Sequence, residues 1–464
     1  MNRAYKYTQM QELAAVWDSV KGITRFQYDA LGQLLAVVPE NARAELFTYD
    51  ANGNVFEGGD PYAREYGPGG RLLRKGDAEY LWNNAGQLIE RRTRRPDGLQ
   101  TTRYAWWETG LLRSVERSDG TLVEFAYDPW ARRASKRVSA RGSDGQRRLV
   151  SSARFVWDGT HLVHEIKQSE GAGGAAIVDE RTYLFEDIRT VPVAHRDART
   201  VGGQRTASGW FHYINDDTGA PEALVNGAGE VACDLLRTPW GAATVAPGHT
   251  TTTPLRFRGQ YADEETGLSY NRYRYYDPAI GRYMSTDPIE ILGGMNLFAY
   301  AGNCPTSAVD VEGLANVLSV IRNREGRVVQ TGFNQGENVG KGPFNTGKDC
   351  AEVDALNGLA DTETLKTTAE VRKKFTEDGY TIETYKLPDN LTDNDKREIA
   401  RKVKDTHKIP KNALGVCPCE TCGTMIMGKP EAGEPSIKNQ VLANNATRPG
   451  GEMSKWKGTK TWGK

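Results

Sequence analysis

Three cysteines and a glutamate in the last 115 residues have the types and the spacing of a metal site. Cys350 stands two residues before Glu352, and Cys419 and Cys422 follow Pro418 in a Pro-Cys-x-x-Cys run. Cysteines at positions i and i+3 lie on one face of the first turn of a helix, where both thiolates reach the same ion. Pro418 suits the start of such a helix, because its φ is already helical. The pattern predicts that Cys350, Cys419 and Cys422 bind one Zn²⁺.

The fourth position of the metal distinguishes a catalytic site from a structural one. Zinc with three protein ligands keeps a position for water and lowers the pKa of that water towards neutrality. Glu352 is then placed to take up and return protons as a general acid and base. Cys417 leaves an alternative open, since a fourth thiolate would complete a structural Cys₄ site. Cys417 and Cys419 flank a proline and share a side only in an extended segment, which favours the open site.

Together the two motifs resemble the signature of zinc-dependent nucleobase deaminases in its three-cysteine form. The resemblance covers about residues 330–430 and points to the deaminase domains of bacterial polymorphic toxins. It implies an α/β/α deaminase-like domain that hydrolyses the amino group of a base, cytosine being favoured, in single-stranded DNA or RNA. Asn345 and Thr346 are candidates for substrate binding by position only. The alternatives are a free nucleoside or nucleotide as substrate, or a non-enzymatic carrier with a structural Cys₄ zinc site.

Elements that would position these residues lie in the 69-residue interval between Cys350 and Cys419. The sequence predicts a helix over 363–378, a strand over 380–386 and a basic helix over 393–406. This order is consistent with helices on both faces of a mixed sheet.

A short repeat fills the first 165 residues. Each unit has two aromatic residues at positions i and i+2, followed in all but the Tyr104 unit by Asp or Asn, and then in most units by Gly and Leu or Val. Clear units begin at Phe26, Phe47, Tyr80 and Tyr104, and those at Phe125 and Phe155 lose the glycine. The pattern predicts a strand, a tight turn with Gly at positive φ, and a return strand. Stacked hairpins of this kind bury their aromatic face against neighbouring units, and a plain β-sandwich is the alternative.

The repeat resembles the YD repeats of Rhs proteins and of the related C subunits of Tc toxins, over about residues 20–314. The resemblance is strongest in the runs that begin at Leu255, Asn271, Gly281 and Gly293, which resemble the Rhs-associated core. It implies a multidomain chain: an all-β shell segment in a hairpin spiral (1–254), the core (255–314), and the C-terminal toxin (315–464). In this family the shell encloses the toxin.

The end of the core resembles the motif after which Rhs chains cleave themselves. By this resemblance the scissile bond joins Leu314 to Ala315, and the two aspartates of the reaction match Asp310 and Asp287, with Arg274 in support. Two carboxyl groups brought close do not both ionise easily, so one acts as the acid and the other as the base. Val311 replaces the family's proline. The alternative is that both aspartates only cap turns.

Composition changes at the same junction. Residues 1–314 contain 31 Arg and 5 Lys, whereas residues 315–464 contain 7 Arg and 17 Lys. The net charge is zero, so charge alone does not indicate a nucleic-acid partner. No apolar run reaches the roughly 18 residues of a membrane span, and we expect neither a span nor a signal peptide. The resemblance implies an immunity protein, spike proteins of a type VI secretion apparatus, and activity in the cytoplasm of the target cell.

Overall fold

The computed structural model describes most of residues 2–314 and short stretches beyond them. The described residues are 2–8, 12–58, 60, 62–186, 190–249, 251–289, 296–314, 317–322, 328–333, 381–386, 401 and 414–416. The chain divides into two compact units, one of Met1–Pro288 with Asn296–Gly313, and one of Ile289–Met295 with Leu314–Lys464.

The described part of the first unit consists of strands in three sheets, with short 3₁₀ turns at Pro68–Gly70, Ala172–Gly174 and Ala301–Asn303. The first sheet contains β1 (Arg3–Tyr7), β2 (Leu13–Asp18), β3 (Gly22–Tyr28), β4 (Leu34–Pro39), β5 (Glu45–Tyr49) and β6 (Val55–Glu57). The second sheet contains β7 (Arg64–Tyr66), β8 (Leu72–Lys75), β9 (Ala78–Trp82), β10 (Leu88–Arg95), β11 (Gly98–Trp106), β12 (Leu112–Arg117), β13 (Leu122–Tyr127), β14 (Arg133–Arg141), β15 (Arg147–Asp158), β16 (His161–Glu170), β17 (Ala176–Phe185), β18 (Pro192–Val201), β19 (Gln204–Asn215), β20 (Pro221–Val225), β21 (Val231–Arg237) and β22 (Ala243–Val245). The third contains β23 (Tyr261–Asp263), β24 (Leu268–Asn271), β25 (Arg274–Asp277) and β26 (Arg282–Tyr283).

The Asp-containing turns of the repeat form because the carboxylate binds the backbone of its own turn. Between β3 and β4, the Asp29 carboxylate accepts hydrogen bonds from the amides of Leu31 (2.8 Å) and Gln33 (2.9 Å). Gly32 has a φ of +78°, a conformation that glycine adopts without a steric penalty. Leu34 then begins the return strand and is fully buried. The predicted strand, turn and return strand are confirmed here.

One unit that lacks the glycine keeps the same turn. The Asp128 carboxylate accepts hydrogen bonds from the amides of Trp130 and Arg132, both at 2.9 Å. Ala131 occupies the position of the missing glycine and has a φ of +59°. The hydrogen bonds to the Asp128 carboxylate therefore hold Ala131 in a backbone conformation that residues other than glycine rarely adopt.

Every strand within these sheets pairs antiparallel with its neighbours in the sequence. The second sheet runs from β7 to β22 without a change of order among the described residues. This continuous succession confirms the predicted all-β hairpin segment, and it differs from a plain sandwich, in which the strands form two facing sheets.

The core segment, residues 255–314, packs against one face of the second sheet. Its buried residues Leu268, Tyr270, Tyr275, Ile280 and Met284 contact apolar side chains that β8 to β14 contribute. The sheet residues of this cluster are Leu72, Tyr80, Leu88, Tyr104, Leu112, Val115, Val123, Phe125 and Val138. Tyr80, Leu88, Tyr104, Leu112 and Phe125 are aromatic and leucine positions of the repeat, so burial against the core segment explains why the pattern is apolar on one face.

A buried ion pair ties the second sheet to the core segment. The Arg133 guanidinium at the start of β14 donates to the Asp263 carboxylate at 2.5 Å, and Lys136 Nζ lies 3.0 Å from the same carboxylate. The side chains of Arg133 and Asp263 are 1% and 0% exposed. The pair fixes the start of β14 over β23, because separating Arg133 from Asp263 would leave a charge buried without its counter-ion.

The second unit contains a four-stranded sheet in its described residues. Its strands are β27 (Val317–Arg322), β28 (Val328–Phe333), β29 (Thr381–Lys386) and β30 (Leu414–Val416), in the order β28-β27-β29-β30, with antiparallel pairing throughout. The predicted strand over 380–386 corresponds to β29. The helices of the expected α/β/α domain lie outside the described residues, apart from the helical residue Arg401, and that domain stays a prediction.

Candidate active site at the end of the first unit

A two-residue turn in the core segment positions Arg274. Asn271 ends β24 and pairs with Arg274, the first residue of β25. Every residue of both strands is buried. Between them Arg272 has a φ of +46°, which closes the hairpin tightly. The side chains at the two ends of the turn therefore start from fixed backbone positions inside the unit.

The last residues of the first unit bind along this turn. Their main-chain carbonyl oxygens accept hydrogen bonds from it at three places. The donors and acceptors are Asn271 Nδ2 to Asp310 O (2.8 Å), the Tyr273 amide to Glu312 O (3.2 Å), and Arg274 Nε to Gly313 O (2.6 Å). We name residues 310–313 the terminal segment. It is held through its backbone, much as an added strand is held at a sheet edge.

The two predicted aspartates meet at one nitrogen atom. Arg274 Nη2 lies 2.9 Å from Asp287 Oδ2 and 2.9 Å from Asp310 Oδ2. The three side chains are at most 4% exposed. Burial opposes the charge of the guanidinium, but the Asp287 and Asp310 carboxylates favour it, and the Arg274 pKa lies above its ordinary value. Sequence positions 274, 287 and 310 are thus brought together within one buried cluster.

Two further side chains complete this cluster. Tyr283 donates its hydroxyl hydrogen to Asp310 Oδ2 at 2.8 Å, and Asn271 Nδ2 donates to the Tyr283 hydroxyl at 2.8 Å. The Arg274 guanidinium lies over the Tyr283 ring, 3.5 Å from its centre. Burial raises the pKa of Tyr283 well above its ordinary value, so the hydroxyl keeps its proton and remains a donor.

Sequence reasoning missed both Asn271 and Tyr283. The available signal was an amide residue, Asn271, at the end of strand β24, and a tyrosine four residues before Asp287. Nothing local distinguishes Tyr283 from the buried Tyr275 and Tyr276, because its role depends on a partner 27 residues away.

Two glycines allow the backbone to pass this closely. Gly313 has a φ of +74°, and a Cβ there would lie 2.7 Å from the carbonyl oxygen of Asn271. Gly259 has a φ of +80°, and a Cβ there would lie 1.8 Å from the carbonyl oxygen of Val311. Any side chain at either position would displace the terminal segment from the hairpin. The glycine of the Leu-Arg-Phe-Arg-Gly run is therefore explained by the packing of this segment.

The arrangement has the groups that peptide hydrolysis requires. Two carboxyl groups can share the roles of acid and base, and a guanidinium holds the chain one residue before Leu314. Leu314 is 7% exposed. Its expected partner in the scissile bond, Ala315, lies outside the described residues.

The predicted zinc and substrate residues all lie outside the described residues. They are Asn345, Thr346, Cys350, Glu352, Cys419 and Cys422, together with Cys417. In the part of the chain that the structure describes, no group of three or more His, Cys, Asp or Glu side chains is arranged to hold a metal. Within that same part, no helix has the length and apolarity needed to cross a membrane.

Comparison with known proteins gives one family and several toxins. The teneurin YD-shell family model matches residues 7–145 and 203–295, half of the chain. "Double-stranded DNA deaminase toxin A" of Burkholderia cenocepacia (strain H111) is 35% identical over 330 residues, which are 68% of this chain and 22% of that protein. "Toxin protein Tse5" of Pseudomonas aeruginosa is 32% identical over 378 residues, which are 69% of this chain and 27% of that protein.

Among solved structures, a TcdB2–TccC3 complex matches 67% of this chain and 18% of its own, with 18% identity and a TM-score of 0.43. The chain spans about a quarter of the length of the curated relatives described above.

Proposed function

Because this chain belongs to the YD-shell family, we propose that it is part of an interbacterial toxin of the Rhs type, and that its residues 315–464 deaminate nucleobases. The observation that carries the proposal is the Cys350-x-Glu352 and Pro418-Cys419-x-x-Cys422 signature downstream of the core segment. A relative named as a DNA deaminase toxin supports it.

The tail would act through one ion and one carboxylate. Zn²⁺, held by Cys350, Cys419 and Cys422, would supply an activated water at neutral pH. Glu352 would take a proton from that water, pass it to the ring nitrogen of the base and then protonate the departing amine. Strand β30 ends at Val416, two residues before Pro418, so the second motif follows directly after a strand, where a helix start is expected.

Release of the tail is the second part of the proposal. Water would add to the carbonyl carbon of Leu314, the bond from that carbon to the Ala315 nitrogen would break, and the new amine would take a proton. One carboxyl of the Asp287 and Asp310 pair would accept the water's proton and the other would donate to the amine. The Arg274 contacts with both carboxylates and with Gly313 O support this assignment.

The deaminase proposal is tested on the purified full chain. Wild type, Glu352→Gln and the control Glu420→Gln, which lies inside the Cys-x-x-Cys run, are incubated with single-stranded DNA, double-stranded DNA, RNA and cytidine. We expect base-resolved sequencing to show conversion of cytosine by wild type and the control, and none by Glu352→Gln. Conversion of cytidine alone would favour the free-nucleoside alternative. Equal conversion by Glu352→Gln would contradict the assigned role.

Zinc content separates an open site from a closed one. An enzyme with three thiolate ligands keeps one zinc per chain and its activity in Cys417→Ser. A structural Cys₄ site loses zinc in this variant and shows no conversion of any substrate. The same preparation serves both measurements, so loss of metal and loss of activity are read together.

The partners and the route are proposed from the resemblance to Rhs proteins. A cognate immunity protein would block the tail, and spike proteins of a type VI secretion apparatus would carry the chain from the producing cytoplasm to that of the target cell. Co-expression with a candidate immunity protein is the direct test: the cognate one should restore growth to cells that produce the active chain.

A further inference from the structure

One buried acceptor in the self-cleavage cluster has no partner. The Asn271 side chain is 0% exposed, and its Nδ2 donates both to Asp310 O and to the Tyr283 hydroxyl, at 2.8 Å each. Its Oδ1 has no hydrogen-bond partner among the described residues. Buried polar atoms in native structures are nearly always satisfied, by protein or by ordered water, so this oxygen marks a place where another group binds.

The orientation of the amide is fixed by its neighbours. Asp310 O is a carbonyl oxygen and can only accept, so the nitrogen of the Asn271 amide must face it. Tyr283 donates its single hydrogen to Asp310 Oδ2, so it must accept from Asn271. If the amide were reversed, Asn271 Oδ1 would face two groups that can only accept, Asp310 O and the Tyr283 hydroxyl oxygen. Oδ1 is therefore the atom of the amide that has no partner.

Oδ1 and Nδ2 are bonded to the same carbon, so the unpartnered oxygen lies close to everything that Nδ2 contacts. It is thus near the Asp310 main chain and the hydroxyl that binds the Asp310 carboxylate. A buried water needs two or more polar partners. For a water that donates to Asn271 Oδ1, the Asp310 carboxylate is the candidate second acceptor, because that carboxylate and Nδ2 of the same amide both contact the Tyr283 hydroxyl.

We propose that Asn271 and Tyr283 are positioning residues of self-cleavage: Asn271 Oδ1 holds the attacking water, and the Tyr283 hydroxyl fixes the direction of the Asp310 carboxylate. This inference rests on the proposed self-cleavage and deepens it. The water's oxygen forms the bond to the Leu314 carbonyl carbon. One of its hydrogens stays on the water's oxygen and is donated to Asn271 Oδ1 in a hydrogen bond. The other leaves as the proton that the carboxylate pair takes up.

The test follows cleavage of the full chain during cell-free translation with labelled methionine. The 51.3 kDa precursor is separated on a denaturing gel from fragments that end at Leu314 and begin at Ala315. Asn271→Asp keeps the size of the side chain but places an oxygen opposite Asp310 O. Asn303→Asp is its matched control, because Asn303 is 3% exposed and donates Nδ2 to the carbonyl oxygen of Gly53.

Tyr283→Phe is the milder second variant, since it removes only one oxygen atom. Its matched control is Tyr276→Phe, which is fully buried on β25 and donates its hydroxyl to Trp240 O at 2.9 Å. Thermal unfolding of all four variants identifies any that lose the fold.

We expect Asn271→Asp and Tyr283→Phe to cleave about 10- to 100-fold more slowly than wild type, and both controls to cleave at the wild-type rate. In Tyr283→Phe the limb of the pH–rate profile that reports a carboxylate should move to higher pH, because a hydrogen bond that favours the ionised form is lost. If Tyr283 had only a structural role, cleavage would slow only in proportion to the unfolded fraction of the variant, and the pH–rate profile would be the same as that of wild type.

Asp310→Asn separates the two proposals. If wild type is not cleaved, or if Asp310→Asn is cleaved normally, the proposed self-cleavage by the aspartate pair is refuted. If Asp310→Asn blocks cleavage while folded Asn271→Asp and Tyr283→Phe cleave at the wild-type rate, only the roles of Asn271 and Tyr283 are refuted.

Discussion

Replacing Gly259 by alanine would place a methyl group where the terminal segment already lies. The new Cβ would be 1.8 Å from the carbonyl oxygen of Val311, whereas real Cβ contacts essentially never fall under 3.0 Å. The two backbones must then separate by at least the difference, 3.0 − 1.8 = 1.2 Å. Since Asp310 and Glu312 flank Val311, the hydrogen bonds that hold the segment to the hairpin would stretch with it.

The expected loss of stability has two parts. Alanine at a left-handed φ costs about 1–2 kcal/mol, and overpacking against a backbone that cannot yield adds about 1–3 kcal/mol. Gly267→Ala is the matched control, because Gly267 has a φ of +74° with no atom within 4 Å of the added Cβ. Gly267→Ala therefore has only the cost of alanine at a left-handed φ. We therefore expect Gly259→Ala to lose about 2–5 kcal/mol and Gly267→Ala about 1–2 kcal/mol.

Urea unfolding and cleavage report the two consequences separately. Unfolding is measured in an Asp310→Asn background, so that all samples have the same covalent state. Cleavage is measured by gel in the otherwise native chain. A displacement of about 1 Å slows a positioned reaction by as much as about 100-fold, so Gly259→Ala should accumulate precursor while Gly267→Ala should not. Equal urea midpoints and equal cleavage rates in Gly259→Ala and Gly267→Ala would refute the contact between Gly259 and the Val311 carbonyl oxygen.

Two further predictions concern the stability of the first unit. Asp263→Asn should lower the free energy of unfolding by about 3–5 kcal/mol, because it leaves the buried Arg133 without its carboxylate. Asp179→Asn, which removes the partner of the exposed Arg199, should lower it by about 0–1 kcal/mol. Similar urea midpoints for the two variants would contradict this. Burial lowers the pKa of His195 to about 3, and the unfolded chain takes up this proton near pH 6.5. The stability that this neutral histidine contributes is therefore complete above about pH 6.5 and is lost as the pH falls towards 3. Between pH 7 and pH 4.5, the free energy of unfolding of His195→Phe should fall by roughly 2–3 kcal/mol less than that of wild type. Parallel curves of unfolding free energy against pH would show that His195 is not the group responsible.

The repeat was predictable because its information is local. An aromatic pair, an aspartate and a glycine three residues further specify a strand, a turn and a return strand, as at Asp29 and Gly32. Ala131 shows the limit of this reasoning: the glycine rule failed there, yet the Asp128 contacts preserved the turn. The hydrogen bonds to the aspartate carboxylate therefore stabilise the turn even where the residue at positive φ is not glycine.

The candidate site was predictable only through resemblance. Residues 274, 287 and 310 follow from the core motif, but no periodicity relates them, since their meeting depends on how the terminal segment returns to the β24–β25 turn. Asn271 and Tyr283 could not be found, because one amide and one phenol among many gain their role from contacts 39 and 27 residues away. The zinc ligands are predicted from spacing alone and await the tests above.

The order of the strands also sets the order of assembly. Each strand of the long sheet joins the one made just before it, so the sheet can grow as the ribosome delivers the chain, through short-range contacts that form quickly. The core segment emerges after the whole long sheet and reaches back beyond its first strand, as Arg282 does to Asn54, 228 residues earlier. Arg274, Asp287 and Asp310 all belong to this late segment, so their cluster is completed only after the long sheet has been synthesised. If the chain cleaves itself as proposed, the cut would follow the synthesis of all the sheet strands and would act as a check on the carrier before the tail is freed.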